Sequence, residues 1–165
     1  VNANCLTAHA EPRQRQVQRT DLVIVDSGCR VENYCSDVTR TCSEDPSKEK
    51  RKLFRDVRNI QSRILEEIEP GKEIEELVEL RDELAEEKGY SPEENIIYSL
   101  GHSVGLEVHE KPGLNYSTDE KLKESMVLAV EPGLHVPGVG GVRIEDTVVV
   151  REKGCEVLSN ASKEL

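Results

Sequence analysis

The middle of the chain constrains it most: two amphipathic helical patterns stand back to back, with strand-like segments on either side. Leu53, Phe54, Val57, Ile60, Ile64 and Ile68 recur at the three-to-four spacing of one helix face, after Asp45 or Ser47 as a candidate cap. Pro70-Gly71 ends that pattern. Ile74, Leu77, Val78, Leu84 and Ala85 repeat it, and Gly89 suits the C-terminal end of the second helix. Ahead of the helices, Asp21 to Val25 is apolar and β-branched, Arg30 to Asn33 is polar enough to turn, and Tyr34 to Thr41 returns as a strand. Behind them, Met126 to Glu131 and Val142 to Val150 flank a loop rich in proline and glycine. The order hairpin, helix pair, hairpin predicts an α+β fold with a sizeable core.

Acidic residues stand symmetrically about both turns. Asp26 and Asp37 centre on position 31.5, inside Arg30–Asn33, and Glu131 and Glu145 centre on Gly138. Regular hairpins would place each pair directly opposite, with Cβ atoms roughly 4.5–5.5 Å apart. Either pair alone is explained by acids splaying into water at strand ends. Two such pairs favour a bound cation, which removes the repulsion and completes the coordination of the oxygens. Between the hairpins lies Gly101-His102-Ser-Val-Gly-Leu-Glu-Val-His109-Glu110, which offers imidazole nitrogen; spacing alone leaves open whether His102 and His109 converge. Four carboxylates and an imidazole are too rich in oxygen for a structural zinc site and suit manganese, cobalt, iron or zinc in a paired site.

Charge and cysteines narrow the function. The formal net charge of −11 argues against nucleic acid, and no apolar run is long enough to span a bilayer. The acids at 66–67, 73–79 and 82–87 read as solvated helix faces. Five cysteines without a C-x-x-C pair fit a reducing, cytoplasmic setting, each thiol reading as a small buried hydrophobe.

The blocks Asp26–Thr41, Gly101–Glu110, Val130–Gly133 and Gly141–Asp146 resemble, in order, those of the pita-bread metallopeptidases: aminopeptidase P, prolidase and methionine aminopeptidase. The resemblance covers nearly the whole chain. It implies the pita-bread fold, two hairpin-plus-helix halves around a metal site, with residues 1–165 a catalytic domain whose first half is incomplete at its N-terminus. It implies that Asp26, Asp37, His102, Glu131 and Glu145 hold two divalent ions, Mn2+ or Co2+ first and Zn2+ or Fe2+ as alternatives. Asp37 and Glu145 would bridge the ions, and Glu131 would accept the proton of the bridging water, leaving the hydroxide that attacks the peptide. His109 would contact substrate and stabilise the tetrahedral intermediate. His9, in Thr7-Ala-His9-Ala-Glu-Pro12, resembles a further substrate-binding histidine, and Arg143 would hold a ligand carboxylate from behind.

Glu131-Pro132-Gly133 followed by Gly140–Glu145 is more similar to the Xaa-Pro branch than to methionine aminopeptidase, so the expected substrates are Xaa-Pro dipeptides or peptides. Cys42, Ser103 and His135 depart from the pattern where phenylalanine, glycine and tyrosine are common. A methionine aminopeptidase or a non-catalytic peptide-binding domain is the alternative. The sheet face left bare by the short start implies either a homodimer or further residues upstream.

Overall fold

The computed structural model describes residues 2–3 and 14–165. In chain order the elements are β1 (Asn2–Ala3), β2 (Val23–Ser27), β3 (Arg30–Val31), β4 (Tyr34–Cys35), β5 (Val38–Cys42), α1 (Lys48–Glu67), α2 (Ile74–Glu87), α3 (Pro92–Asn95), β6 (Gly101–Ser103), β7 (Glu110–Leu114), β8 (Val127–Val130), β9 (Gly133–Val136), β10 (Gly140–Arg143), β11 (Asp146–Val150) and β12 (Cys155–Val157). Four antiparallel sheets result: β1-β2-β5, the tip β3-β4, the pair β9-β10, and a five-stranded sheet ordered β12-β11-β8-β6-β7.

Both long helices form where their apolar stripes run. Ser47 caps α1 by accepting from the Lys50 N–H, and Leu53, Phe54, Val57, Ile60 and Ile64 are buried along one face. From α2 come Ile74, Leu77, Val78, Leu84 and Ala85. These side chains meet Leu100, Leu128, Val130, Leu134, Val142, Ile144 and Val148 in one core. No helix among the described residues is long and apolar enough to cross a membrane.

The second hairpin turns where the acidic pair predicts. Gly140 pairs with Val136 and Asp146 with Val130, so both ladders share the centre at Gly138. Glu131 and Glu145 fall in register between the two ladders, where pairing stops. The Glu131 N–H donates instead to the Leu100 carbonyl and the Glu145 N–H to the Thr39 carbonyl of the first hairpin. Gln61, buried in the α1 stripe, donates to the carbonyls of Val130 and Ile144 beside the gap. Buried backbone groups must find such partners, and here they tie the second hairpin to both neighbours.

The first hairpin differs from expectation by two residues. Asp26 pairs with Thr39 and Ser27 with Val38, while Val31 pairs with Tyr34 across the tip. The turn is therefore Glu32-Asn33, and both residues hold positive φ (49° and 73°), as a two-residue type I′ turn requires. Asp37 is thus not opposite Asp26 but two residues along, on the same face. The expected continuous strand from Tyr34 to Thr41 is interrupted at Ser36-Asp37. The buried-thiol reading is also overturned: Cys29 and Cys42 are exposed, and Cys35 and Cys155 only partly covered. Cys5 and His9 lie outside the described residues.

Candidate metal centre

Threonines join the two halves where the site forms. Thr41 Oγ1 accepts from the Arg143 N–H and donates to its carbonyl. Two residues on, Thr39 Oγ1 donates to Glu145 Oε2 at 2.6 Å. Thr147 Oγ1 accepts from the Asp37 N–H and donates to the Asp37 carbonyl at 2.7 Å. The contacts 41–143, 39–145 and 37–147 follow one antiparallel register, with threonine hydroxyls completing the ladder. Arg40 clamps the same seam by donating to the carbonyls of Thr39 and Glu145 while pairing with buried Asp146.

This seam brings the candidate ligands together. One donor atom each from Asp37, His102 and Glu145 lies within 4.8 Å of the other two. His102 Nε2 is 3.8 Å from Asp37 Oδ2 and 3.6 Å from Glu131 Oε1. The ring's Nδ1 faces the Ser103 carbonyl at 3.1 Å, which fits a tautomer with Nε2 free to coordinate. Asp26 reaches the group through Arg143: the guanidinium pairs with Asp26 Oδ2, and its Nε stands 3.7 Å from Glu131 Oε2 and donates to Thr39 Oγ1. His109 also converges, its ring centroid 4.3 Å from that of His102, and it is exposed toward the cavity. All seven side chains, Arg143 included, line a cavity of about 1110 Å³.

The electrostatics are those of a site short of positive charge. Burial pushes Glu131 up to about 7, with Asp37 and Asp26 adding repulsion and Arg143 opposing it. Burial, then the charge of Glu131, pushes Glu145 up to about 8 despite the Thr39 hydrogen bond. Asp37 is raised by burial and by Asp26, whereas burial lowers His102. A divalent cation would favour every one of these deprotonated forms, so the donor set fits a metal.

Threonines 39, 41 and 147 were not singled out in the sequence, since a lone threonine in a strand has no distinguishing pattern. Tyr98 was likewise missed.

Two halves meeting along such a seam, with carboxylates and imidazole gathered at the join, are the pita-bread fold. Comparison with known proteins agrees: the chain belongs to metallopeptidase family M24, whose profile matches residues 1–152. It is 39% identical over 158 residues to the Xaa-Pro dipeptidase of Pyrococcus furiosus, an alignment covering 95% of this chain and 45% of that protein. The solved prolidase from Pyrococcus furiosus superposes with a TM-score of 0.88 at 38% identity, over 94% of this chain and 46% of that one. The X-Pro aminopeptidase of Thermotoga maritima gives a TM-score of 0.89 at 38% identity, over 95% and 44%. A methionine aminopeptidase of Thermotoga maritima, 24% identical with a TM-score of 0.78 over 87% and 66%, shares the fold. The chain spans less than half the length of the curated relatives it matches.

Proposed function

We propose that this protein is a divalent-metal peptidase that releases the N-terminal residue ahead of proline, from Xaa-Pro dipeptides or longer peptides. The observation that carries this is the convergence of Asp26, Asp37, His102, Glu131 and Glu145 at one seam, from positions up to 119 residues apart. Two ions held there, with Mn2+ or Co2+ the first candidates, supply charge that polarises the scissile carbonyl and acidifies water. Asp26, Asp37, His102, Glu131 and Glu145 would hold them, His102 through Nε2.

The chain's own groups do the rest. Glu131, with one oxygen toward His102 and the other toward Arg143, would take a proton from the attacking water and return it to the leaving amine. His109, open to the cavity, donates to the carbonyl oxygen as charge develops on it. Arg143 holds Asp26 and Glu131 in place by charge-assisted hydrogen bonding.

The preference for proline is supported by the Glu131–Glu145 block and by the similarity to an Xaa-Pro dipeptidase and an X-Pro aminopeptidase. Xaa-Pro dipeptides and Xaa-Pro peptides, assayed beside Met-Ala-Ser with added Mn2+ or Co2+, test it. Faster cleavage of an Xaa-Pro substrate is expected, and the shorter or longer one winning separates dipeptidase from aminopeptidase. Faster cleavage of Met-Ala-Ser replaces the assignment by methionine aminopeptidase. Metal uptake with no cleavage of either leaves a peptide-binding domain.

A further inference from the structure

Behind the ligands lies an aromatic side chain that the proposed chemistry does not use. Tyr98 is partly buried, with its hydroxyl oxygen enclosed, and lines the same cavity as Glu131, Arg143 and Glu145. Its ring centroid is 5.3 Å from Arg143 Cζ, within reach of a cation–π contact. On another side it meets the His135 ring edge-on, with centroids 5.4 Å apart and planes at 82°.

Two contacts hold Tyr98 in place. The phenol oxygen sits 1.7 Å from where a Cβ on residue 133 would stand, so only Gly133 leaves room for it. Arg81, buried on α2, donates from Nη1 to the Tyr98 carbonyl. Among the described residues the Tyr98 hydroxyl has no hydrogen-bond partner. The hydroxyl is enclosed against Gly133, and the ring lies beneath the Arg143 guanidinium. Arg143 in turn touches Asp26, Glu131 and, through Thr39, Glu145. Guanidinium planes stack on aromatic faces, so the ring can set the direction in which the fork points.

We infer that Tyr98 is a positioning residue of the centre: its ring is the platform that aims Arg143, and through it the carboxylates of Asp26 and Glu131. This rests on the proposed metal-dependent reading, and the test keeps the two apart.

Co2+ is titrated into the full chain and followed by visible absorption, which reports affinity and coordination geometry, with circular dichroism to verify folding. Tyr98→Leu removes the platform and is expected to weaken Co2+ binding about 10- to 100-fold, the usual effect of losing support for a ligand, and to change the spectrum. Tyr98→Phe keeps the ring and is expected to restore both. Because the effect runs through Arg143, Tyr98→Leu should cost much less in an Arg143→Lys background. Equal affinity and spectrum for wild type and Tyr98→Leu overturn the inference alone. So does a Tyr98→Phe loss as large as that of Tyr98→Leu, or a full additive cost in the Arg143→Lys background. If Tyr98→Leu does not fold, Tyr98→Phe and Tyr98→Met decide by the same affinity order. Wild type binding no Co2+ overturns this inference and the metallopeptidase reading together.

Discussion

Without metal, the protein should lose stability as pH rises from 6.5 to 8, against the trend of most acidic domains. Glu131 and Glu145 are raised from an ordinary 4.5 to about 7 and about 8. Between the ordinary and native values the folded state keeps protons that the unfolded chain has released. Their stabilising contribution is complete below about 4.5 and is lost as pH climbs through 7 and 8. His102, lowered by burial, works oppositely: its contribution is lost as pH falls below 6.5. Over 6.5–8 that opposition fades and offsets only a small part of the carboxylate effect. Integrating both titrations over 6.5–8 gives about 2 kcal/mol lost, or roughly 6 °C in melting temperature for a chain of this size. Thermal melts in chelator at half-unit pH steps measure it. With saturating Mn2+ the slope should reverse, because the ion competes with those protons and binds the folded state. A melting temperature that is flat or rising over 6.5–8 in chelator would refute the account of two buried, crowded carboxylates.

Glu131→Gln keeps side-chain shape but cannot take a proton; kcat should fall by several orders of magnitude and Co2+ affinity should also drop, read by steady-state kinetics and metal titration. His109→Ala should lower kcat about 10²–10³-fold with metal content near wild type, as elemental analysis would report. Gly28→Ala places a Cβ 2.1 Å from the Ser36 carbonyl oxygen, a backbone atom that cannot swing aside. Opening that strand pair should cost about 1–3 kcal/mol and spread Asp26 from Asp37, which denaturant melts and Co2+ titration would detect. Thr39→Val removes the donor to Glu145 Oε2 and the acceptor for Arg143, for a loss of about 1–3 kcal/mol; Thr39→Ser should recover most of it.

What the sequence made legible follows the strength of its local signals. The α1 and α2 stripes, the Ser47 cap and the centre at Gly138 each rest on several neighbouring residues pointing the same way, and each appears as expected. The first turn rested on composition alone. Placing it half a residue either side of Glu32 changes which residue faces Asp26, and a glutamate with positive φ gave no warning. Asp37 still reaches the site because a shift of two preserves its face. The cysteines read as buried because the average thiol is, whereas Cys29 sits on the exposed approach to the tip and Cys42 on the outer side of β5. The hydroxyl ladder of Thr39, Thr41 and Thr147 exists only after the halves have met. Contacts across more than a hundred residues leave no periodicity to read.

The divided ladder at Glu131 and Glu145 also makes the centre a removable cross-link. Asp37 and Glu145 are 108 positions apart, and a cation gripping both would close a loop of that length. A covalent tie across about 100 residues is worth about 4.7 kcal/mol in chain entropy, which sets the scale an ion could approach. The first hairpin is held to the rest of the molecule by three threonines, Arg40, the Arg143–Asp26 pair and the tip's bonds to Gly105 and Leu106, so a bound metal should add to these ties and make the hairpin lift away less often. Amide hydrogen exchange along Val38–Cys42 should accordingly slow on metal loading, so that the ion proposed for catalysis would also be the fastener that sets proteolytic lifetime.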